Sequence, residues 1–332
     1  MKDLATFTSP IGPLITRYLA MKRASGRRAV SMAYIFRYLD RFLVSSHAAD
    51  LTRETFLAWS ESMDSLHANT RAGRLRVVYH FCLFRRREHP DSFVPDPIQF
   101  PPWRPRPLPY IFSEADILRL LATTEDLVPH KASLLLGAVA RIGIVILYTT
   151  GLRRGELVRL TLGDYDTTDH VFHVRRTKFD KSRLVPLSAD TVTELDRYLK
   201  ARRQAGAPCH EDAPLLVHNH GVPFRGYTGC GLGELLRKVI RTTGIRTFRG
   251  RPPRVHDLRF TFAVQALSRW YRAGADVQAR LPALATYLGH VSVLSTQYYL
   301  TFFPATAEAA SERFHTHAAG WLSPGTVEAD RS

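Results

Sequence analysis

Apolar residues recur every three to four positions in three stretches of the N-terminal third: IGPLITRYLAMK (11–22), AVSMAYIFRYLDRFLV (29–44) and RLRVVYHFCLFRRR (74–87). That spacing lines one face of an α-helix, so residues 11–88 are expected to form helices separated by polar breaks. The pattern stops at PDPIQFPPWRPRPLPYIFS, which places seven prolines between Pro95 and Pro109. Proline fixes φ and lacks the amide proton a helix needs, so this segment reads as a stiff connector and a domain boundary. Ser113, followed by Glu114 and a new apolar periodicity, has the chemistry of a helix cap. The expected division is a helical domain over 1–98, a proline-rich linker over 99–112, a second domain over 113–322 and a loose tail over 323–332.

Helical periodicity returns at 191–203, 231–242, 256–272, 276–288 and 292–315. Between them HVFHVRRTKFDKSRLVPL (170–187) shows two short alternating runs around a polar turn, the pattern of a β-hairpin. The fold class expected is therefore mainly α with a small β-hairpin or sheet, an α+β arrangement. ASLLLGAVARIGIVILYTTG (132–151) is long enough to cross a bilayer, but Arg141 interrupts it and its flanks carry no membrane signal. A buried core helix is the better reading. The first residues lack the apolar core of a signal peptide, and Cys82, Cys209 and Cys230 are too few and scattered for a disulfide framework. A cytoplasmic, nucleoid-associated protein with no membrane partner is expected.

Charge changes the picture more than composition does. The chain of 332 residues carries a net charge of +16 and a pI near 10.1. Residues 1–108 hold 17 Lys and Arg against 9 Asp and Glu, and the remainder 29 against 21. Both halves are thus equally basic, which points to a polyanionic partner, most simply nucleic acid. Candidate phosphate contacts are Arg27, Arg28, Arg74, Arg85 and Arg86 in the first domain and Lys181, Arg251 and Arg254 in the second.

Four clusters in the second domain could carry chemistry. In TGLRRGEL, Glu156 lies one helical turn from Arg153 and can brace it. The hairpin turn lifts Lys178 and Lys181. In VHDLRF, His256 and Arg259 share a helix face. In LGHVSVLSTQYYL, His290 follows a glycine, and Tyr298 and Tyr299 come eight and nine residues later. Each cluster alone has an ordinary reading: a surface ion pair, a solvated turn, a packed helix. Two further segments are weaker. CHEDAPLLVHNH (209–220) lacks the ligand spacing of a zinc finger and reads as loop. RGYTGCGLGELLRK lacks the Gly-Lys-Ser/Thr ending of a phosphate loop.

Taken together and in order, the four clusters resemble the boxes of the tyrosine recombinase (phage integrase) family, and the match covers most of the chain. The resemblance implies an N-terminal core-binding domain that clamps DNA and a C-terminal catalytic domain. It implies that Arg153, Lys178, His256, Arg259, His290 and Tyr299 are catalytic, with Glu156 in support. The reaction implied is cleavage and rejoining of DNA through a covalent 3′-phosphotyrosine, with no metal, ATP or other cofactor. The partners implied are a double-stranded recombination site, a homotetramer on synapsed DNA (monomer or dimer off it) and accessory recombinases. A mobile-element context is expected, because the segment after Tyr299 is longer than the short tails of chromosome-resolving members.

The physical chemistry agrees. Attack of a phenol on a phosphodiester builds negative charge that two arginines and a histidine can hold. A tyrosine, ordinarily of pKa about 10, needs a base such as His256, and Lys178 can protonate the departing 5′ oxygen. Helical geometry separates the two tyrosines by about 100°. Tyr298 aligns with Leu294 and Phe302 and is expected to pack inward; Tyr299, above Ser295 and Thr296, is expected to face an open cleft and act as nucleophile. Two other classes share these residues: a type IB topoisomerase that relaxes DNA without recombining it, and a non-catalytic DNA-binding protein that keeps the fold.

Overall fold

The computed structural model describes residues 7–26, 29–104, 107–129, 133–175, 182–220, 223–289 and 294–302. The chain divides into two compact units, residues 1–107 and 108–332.

The first unit holds four helices among its described residues: α1 (Gly12–Ala24), α2 (Val30–Ser45), α3 (Arg53–Glu61) and α4 (Ala68–Arg86). Their apolar stripes close on an aromatic centre in which Tyr18, Phe36 and Phe81 meet edge to face, with ring centroids 5.2–5.8 Å apart. Such pairs add to the burial of large rings, which is the main stabilising term of a domain this size. Asp40 is buried, and its carboxylate accepts from the Thr8 and Ser9 amides at 3.0 Å each, tying the entry of α1 to α2. Of the proline-rich segment, Phe100 belongs to this core, and Arg104 exchanges two hydrogen bonds with Asn69.

One expected phosphate contact in this unit is corrected. Arg85 falls on the same face of α4 as Val78, Phe81 and Cys82, so the helix turns it inward; it is 5% exposed and paired with Asp50 at 2.5 Å. It is packed inside the unit rather than meeting solvent. Arg86, one residue on, is exposed in the last turn.

The second unit is built around α6 (Leu136–Thr150), against which α5 (Glu114–Glu125), α8 (Ala189–Gln204), α9 (Gly229–Thr242) and α10 (Asp257–Arg272) pack. Ser113 caps α5 in a capping box with Asp116. Arg141, the charge within the apolar stretch, is held by the Glu194 carboxylate of α8 through Nε and Nη2, both at 2.7 Å. No helix among the described residues is long and apolar enough to cross a membrane. After α6 come the one-turn helix α7 (Arg154–Leu157) and an antiparallel sheet of β1 (Tyr165–Asp166), β2 (Val171–Val174) and β3 (Arg183–Pro186), in the order β1-β2-β3. The expected hairpin is β2–β3, with Phe172 opposite Val185. The 209–220 segment is not loop throughout: Val217–His218 forms β4, paired with β5 (Arg225–Gly226). Strands of two residues are too short for an alternating pattern to show. The helices α11 (Val277–Leu288) and α12 (Leu294–Gln297) and a 3-10 turn (Tyr298–Phe302) complete the described chain.

Candidate active site

Arg153 opens α7, where its backbone N–H donates to Glu156 Oε2 at 3.0 Å and its Nη1 to Oε1 at 2.9 Å. The same guanidinium donates to the carbonyls of Leu288 (3.3 Å) and Gly289 (3.1 Å), so the first arginine box is bolted to the end of α11. Glu156 is only 3% exposed. Burial alone would raise its pKa, but hydrogen bonds and charge from Arg183 and Arg153 win and bring it down to about 2.

Arg183, on β3, was not singled out from the sequence. Its Nη1 and Nη2 donate to Glu156 at 3.3 and 2.8 Å, and its side chain is 11% exposed. The signal was present: Arg183 lies two residues from buried Val185, and alternate strand residues share a face. Gly289 ends α11 with φ +65, and a Cβ there would come within 3.0 Å of Arg183 Nη1. Both the left-handed backbone and the close guanidinium therefore call for glycine at this position.

Arg259 lies in the first turn of α10 and is 2% exposed. Its Nη1 donates to the Gly151 carbonyl at 2.6 Å and its Nη2 to Leu288 at 2.7 Å. Burial pulls its pKa down to about 10, a fall opposed by the charge of Tyr299 and by a hydrogen bond with that hydroxyl. His256 caps α10 and turns its ring edge to face against Phe260 (5.5 Å), which in turn meets Tyr299 (5.0 Å). One side of the imidazole is open to solvent, yet crowding by its neighbours, then the charges of Arg259, Arg254 and Arg153, push its pKa down to about 4. It is neutral at pH 7 and can accept a proton.

The reading of the tyrosine pair by helical rows is overturned. Tyr299 is the buried one, 3% exposed, and Tyr298 is 39% exposed; Thr296 is fully buried rather than lining a cleft. Rows at i±4 presuppose a continuous α-helix, whereas the chain tightens to a 3-10 turn at Tyr298. Three residues per turn send successive side chains 120° apart, so the α-helical rows no longer apply. The polar setting of Tyr299 comes from Arg259 on another helix, not from its own neighbours.

The structure thus brings Arg153, Glu156, His256, Arg259 and Tyr299 together, through shared partners or direct contact. Lys178, Lys181, His290, Arg27 and Arg28 lie outside the described residues. Arg74 lies over the rings of Tyr38 (4.8 Å) and Tyr34 (5.9 Å). Arg251 is exposed, and Arg254 clasps Asp257 at 2.8 Å while staying 44% exposed. Among the described residues, no group of three or more His, Cys, Asp or Glu is placed to hold a metal ion.

The model of the Phage integrase family matches residues 111–305, more than half of the chain. The chain belongs to that family. As a tyrosine recombinase, it is of an enzyme class that breaks and rejoins DNA strands. A Sinorhizobium fredii protein described as an integrase/recombinase, y4rB, is 34% identical to this recombinase over 90% of its length and 95% of the relative's. The tyrosine recombinase XerD of Listeria monocytogenes is 28% identical over 74% of each chain. Among solved structures, the Tn1549 transposon integrase in complex with transposon right end DNA superposes with a TM-score of 0.63 at 19% identity, over 90% of this recombinase and 98% of that chain. That likeness concerns the fold, mostly helical with small sheets.

Proposed function

We propose that this recombinase cuts duplex DNA at a defined site by transesterification, with Tyr299 as the nucleophile. The Tyr299 oxygen attacks the scissile phosphorus, the P–O5′ bond breaks, and the 3′ phosphate remains esterified to the tyrosine. The phenolic proton passes to His256, and the departing 5′ oxygen takes a proton from Lys178, the role the family resemblance gives that residue. Rejoining reverses these steps with the 5′ hydroxyl of the other strand. The tyrosyl ester conserves the energy of the broken bond, so no step calls on ATP or a metal.

The observation that carries this reading is the burial of Tyr299 against Phe260 of the helix that also carries the buried Arg259, 3% and 2% exposed respectively. A buried guanidinium placed there can stabilise the negative charge that builds on phosphorus. Arg153 and Arg259 are fixed beforehand by oxygens of the protein, so they need not reorganise during reaction. The partner is double-stranded DNA, clasped by the N-terminal helical unit, with a homotetramer on synapsed sites and a monomer or dimer off them. A mobile-element context is part of this proposal.

The test uses a nicked suicide duplex taken from the DNA flanking the gene. The wild-type protein should give an SDS-stable adduct whose peptide map places the phosphate on Tyr299. Tyr299→Phe should bind as tightly and give none. A phosphate on Tyr298 would overturn the assignment. Relaxation of supercoiled plasmid without recombinants would favour the topoisomerase reading.

A further inference from the structure

Beside His256 lies a pocket of about 350 Å³ lined by Arg154, Arg237, Arg241 and Arg254, with Pro252 and Pro253 among its walls. A second pocket of about 200 Å³ shares Arg154, Val255 and His256 with it and reaches Arg259. The two form one groove leading from the candidate active site to α9. We propose that this groove seats a phosphodiester flanking the scissile one, with Arg154 and Arg241 as its principal contacts. The proposal rests on the recombinase reading above.

The charges are unequally compensated. Arg254 is paired with Asp257 and Arg237 with Glu234, whereas Arg154 and Arg241 have no acidic partner among the described residues. Two uncompensated guanidinium groups facing one concavity repel each other, and an anion between them relieves that repulsion. Arginine forks also match phosphate oxygens in geometry.

The fold makes room for this arrangement. A Cβ at Gly233 of α9 would fall 2.3 Å from Arg154 Nη1, so any larger residue there would displace the guanidinium. Gly229, one turn earlier, lies against the same side chain, its notional Cβ 3.9 Å from Arg154 Nε. Arg154 is thus laid into a notch on α9 instead of swinging free. Two consecutive prolines with fixed φ, Pro252 and Pro253, stiffen another part of the pocket wall. The basicity of His256 is depressed first by burial and then by the charges of Arg259, Arg254 and Arg153. A bound phosphate would raise it, coupling occupancy of this groove to the proton-accepting group next door.

The experiment replaces single phosphates around the cleavage point with neutral methylphosphonates in the suicide duplex. Binding and adduct formation are measured for wild type, Arg241→Ala and Arg154→Ala. In wild type, one flanking replacement should weaken binding roughly tenfold, as expected for loss of a charged hydrogen bond. The same replacement should have little further effect in either variant, while replacements elsewhere keep their full effect. Each variant should also lower the slope of log affinity against log salt by about 1. Arg241 is exposed, so its truncation leaves folding intact and keeps the test decisive if Arg154→Ala is unstable. Equal, additive losses at every phosphate in all three proteins would overturn the groove as a phosphate seat while leaving the recombinase reading in place. Absence of any wild-type adduct would overturn both.

Discussion

Basic side chains are held in two different ways in the two units. In the N-terminal unit several lie on rings: Arg41 and Arg74 over Tyr38 at 4.7 and 4.8 Å, Arg76 over Trp103 at 5.4 Å, and Lys22 over Tyr18 at 4.9 Å. In the C-terminal unit Arg153, Arg183 and Arg259 are gripped by oxygens, with Glu156 and the carbonyls of Gly151, Leu288 and Gly289 as acceptors. A ring at a solvated surface contributes only about 0.5–1 kcal/mol and leaves the N–H edge free to meet a phosphate wherever it arrives. Buried carboxylate and carbonyl acceptors cost desolvation but fix each fork in one place. Binding DNA tolerates the first kind of support. Stabilising a transition state needs the second, because its benefit lies in groups already aimed where charge will develop.

The largest effect should come from disturbing the gripped set. Arg259→Lys keeps the charge but cannot reach Gly151, Leu288 and Tyr299 from one planar fork. Adduct formation in single-turnover assays should fall about 10²–10³-fold, the loss typical of one transition-state donor, with DNA affinity changed far less. Equal losses in rate and affinity would mean that Arg259 holds DNA in the ground state, and the contrast between the units would fail.

Arg183→Gln should act through Glu156. A carboxyl held at about 2 contributes its full stabilisation above the ordinary value of 4.5 and loses it as pH falls from 4.5 toward 2. The wild-type melting temperature should therefore hold down to about pH 4.5 and drop below it, so far as this group is concerned. With Arg183 gone, burial is opposed by Arg153 alone and the Glu156 pKa rises, so the acid-induced loss of stability below pH 4.5 should shrink, while cleavage, which needs the carboxylate, should begin to fall at a higher pH. At neutral pH the cost is about 3 kcal/mol, at the low end for breaking a buried pair because one partner remains. Identical pH profiles for variant and wild type would leave Arg183 a purely structural residue.

These two arginines also mark how far the sequence can be read. The motif carrying Arg259 is local, and the helices were legible because periods of 3.6 need no partner to be seen. Arg183 lies within the hairpin pattern but is not legible there as a site residue, since its partner Glu156 is 27 residues away. Arg154, next to Arg153 in sequence, is not legible as a site residue either, because the notch that receives it is formed by Gly229 and Gly233 of α9. The tyrosine pair was misread for a related reason: whether a turn is α or 3-10 at Tyr298 depends on what it packs against, here Phe260 of α10. Arg85 had the right composition around it but the wrong helix face. Local pattern located the elements and the boxes, whereas tertiary contact decided which cations are clamped.

Arg85 also supplies the smallest and sharpest test, because it is a gripped arginine in the unit of ring-stacked ones. Its partner Asp50 is half exposed, and its own Nε and Nη1 are buried with no hydrogen-bond partner. Replacing it by methionine removes two unsatisfied buried donors, keeps an apolar chain in the space, and lets Asp50 return to water. Stability should therefore change by no more than about 1 kcal/mol in either direction, and DNA affinity by less than about twofold. Arg74→Ala, by contrast, removes a guanidinium from a solvent-facing ring. It should weaken binding to every sequence alike and lower the salt slope by about 1. Titrating both variants against the same duplex at several salt concentrations separates the two roles. If Arg85→Met loses affinity as Arg74→Ala does, Arg85 must leave Asp50 to reach DNA, and its burial in the free protein would then describe a resting state rather than its function.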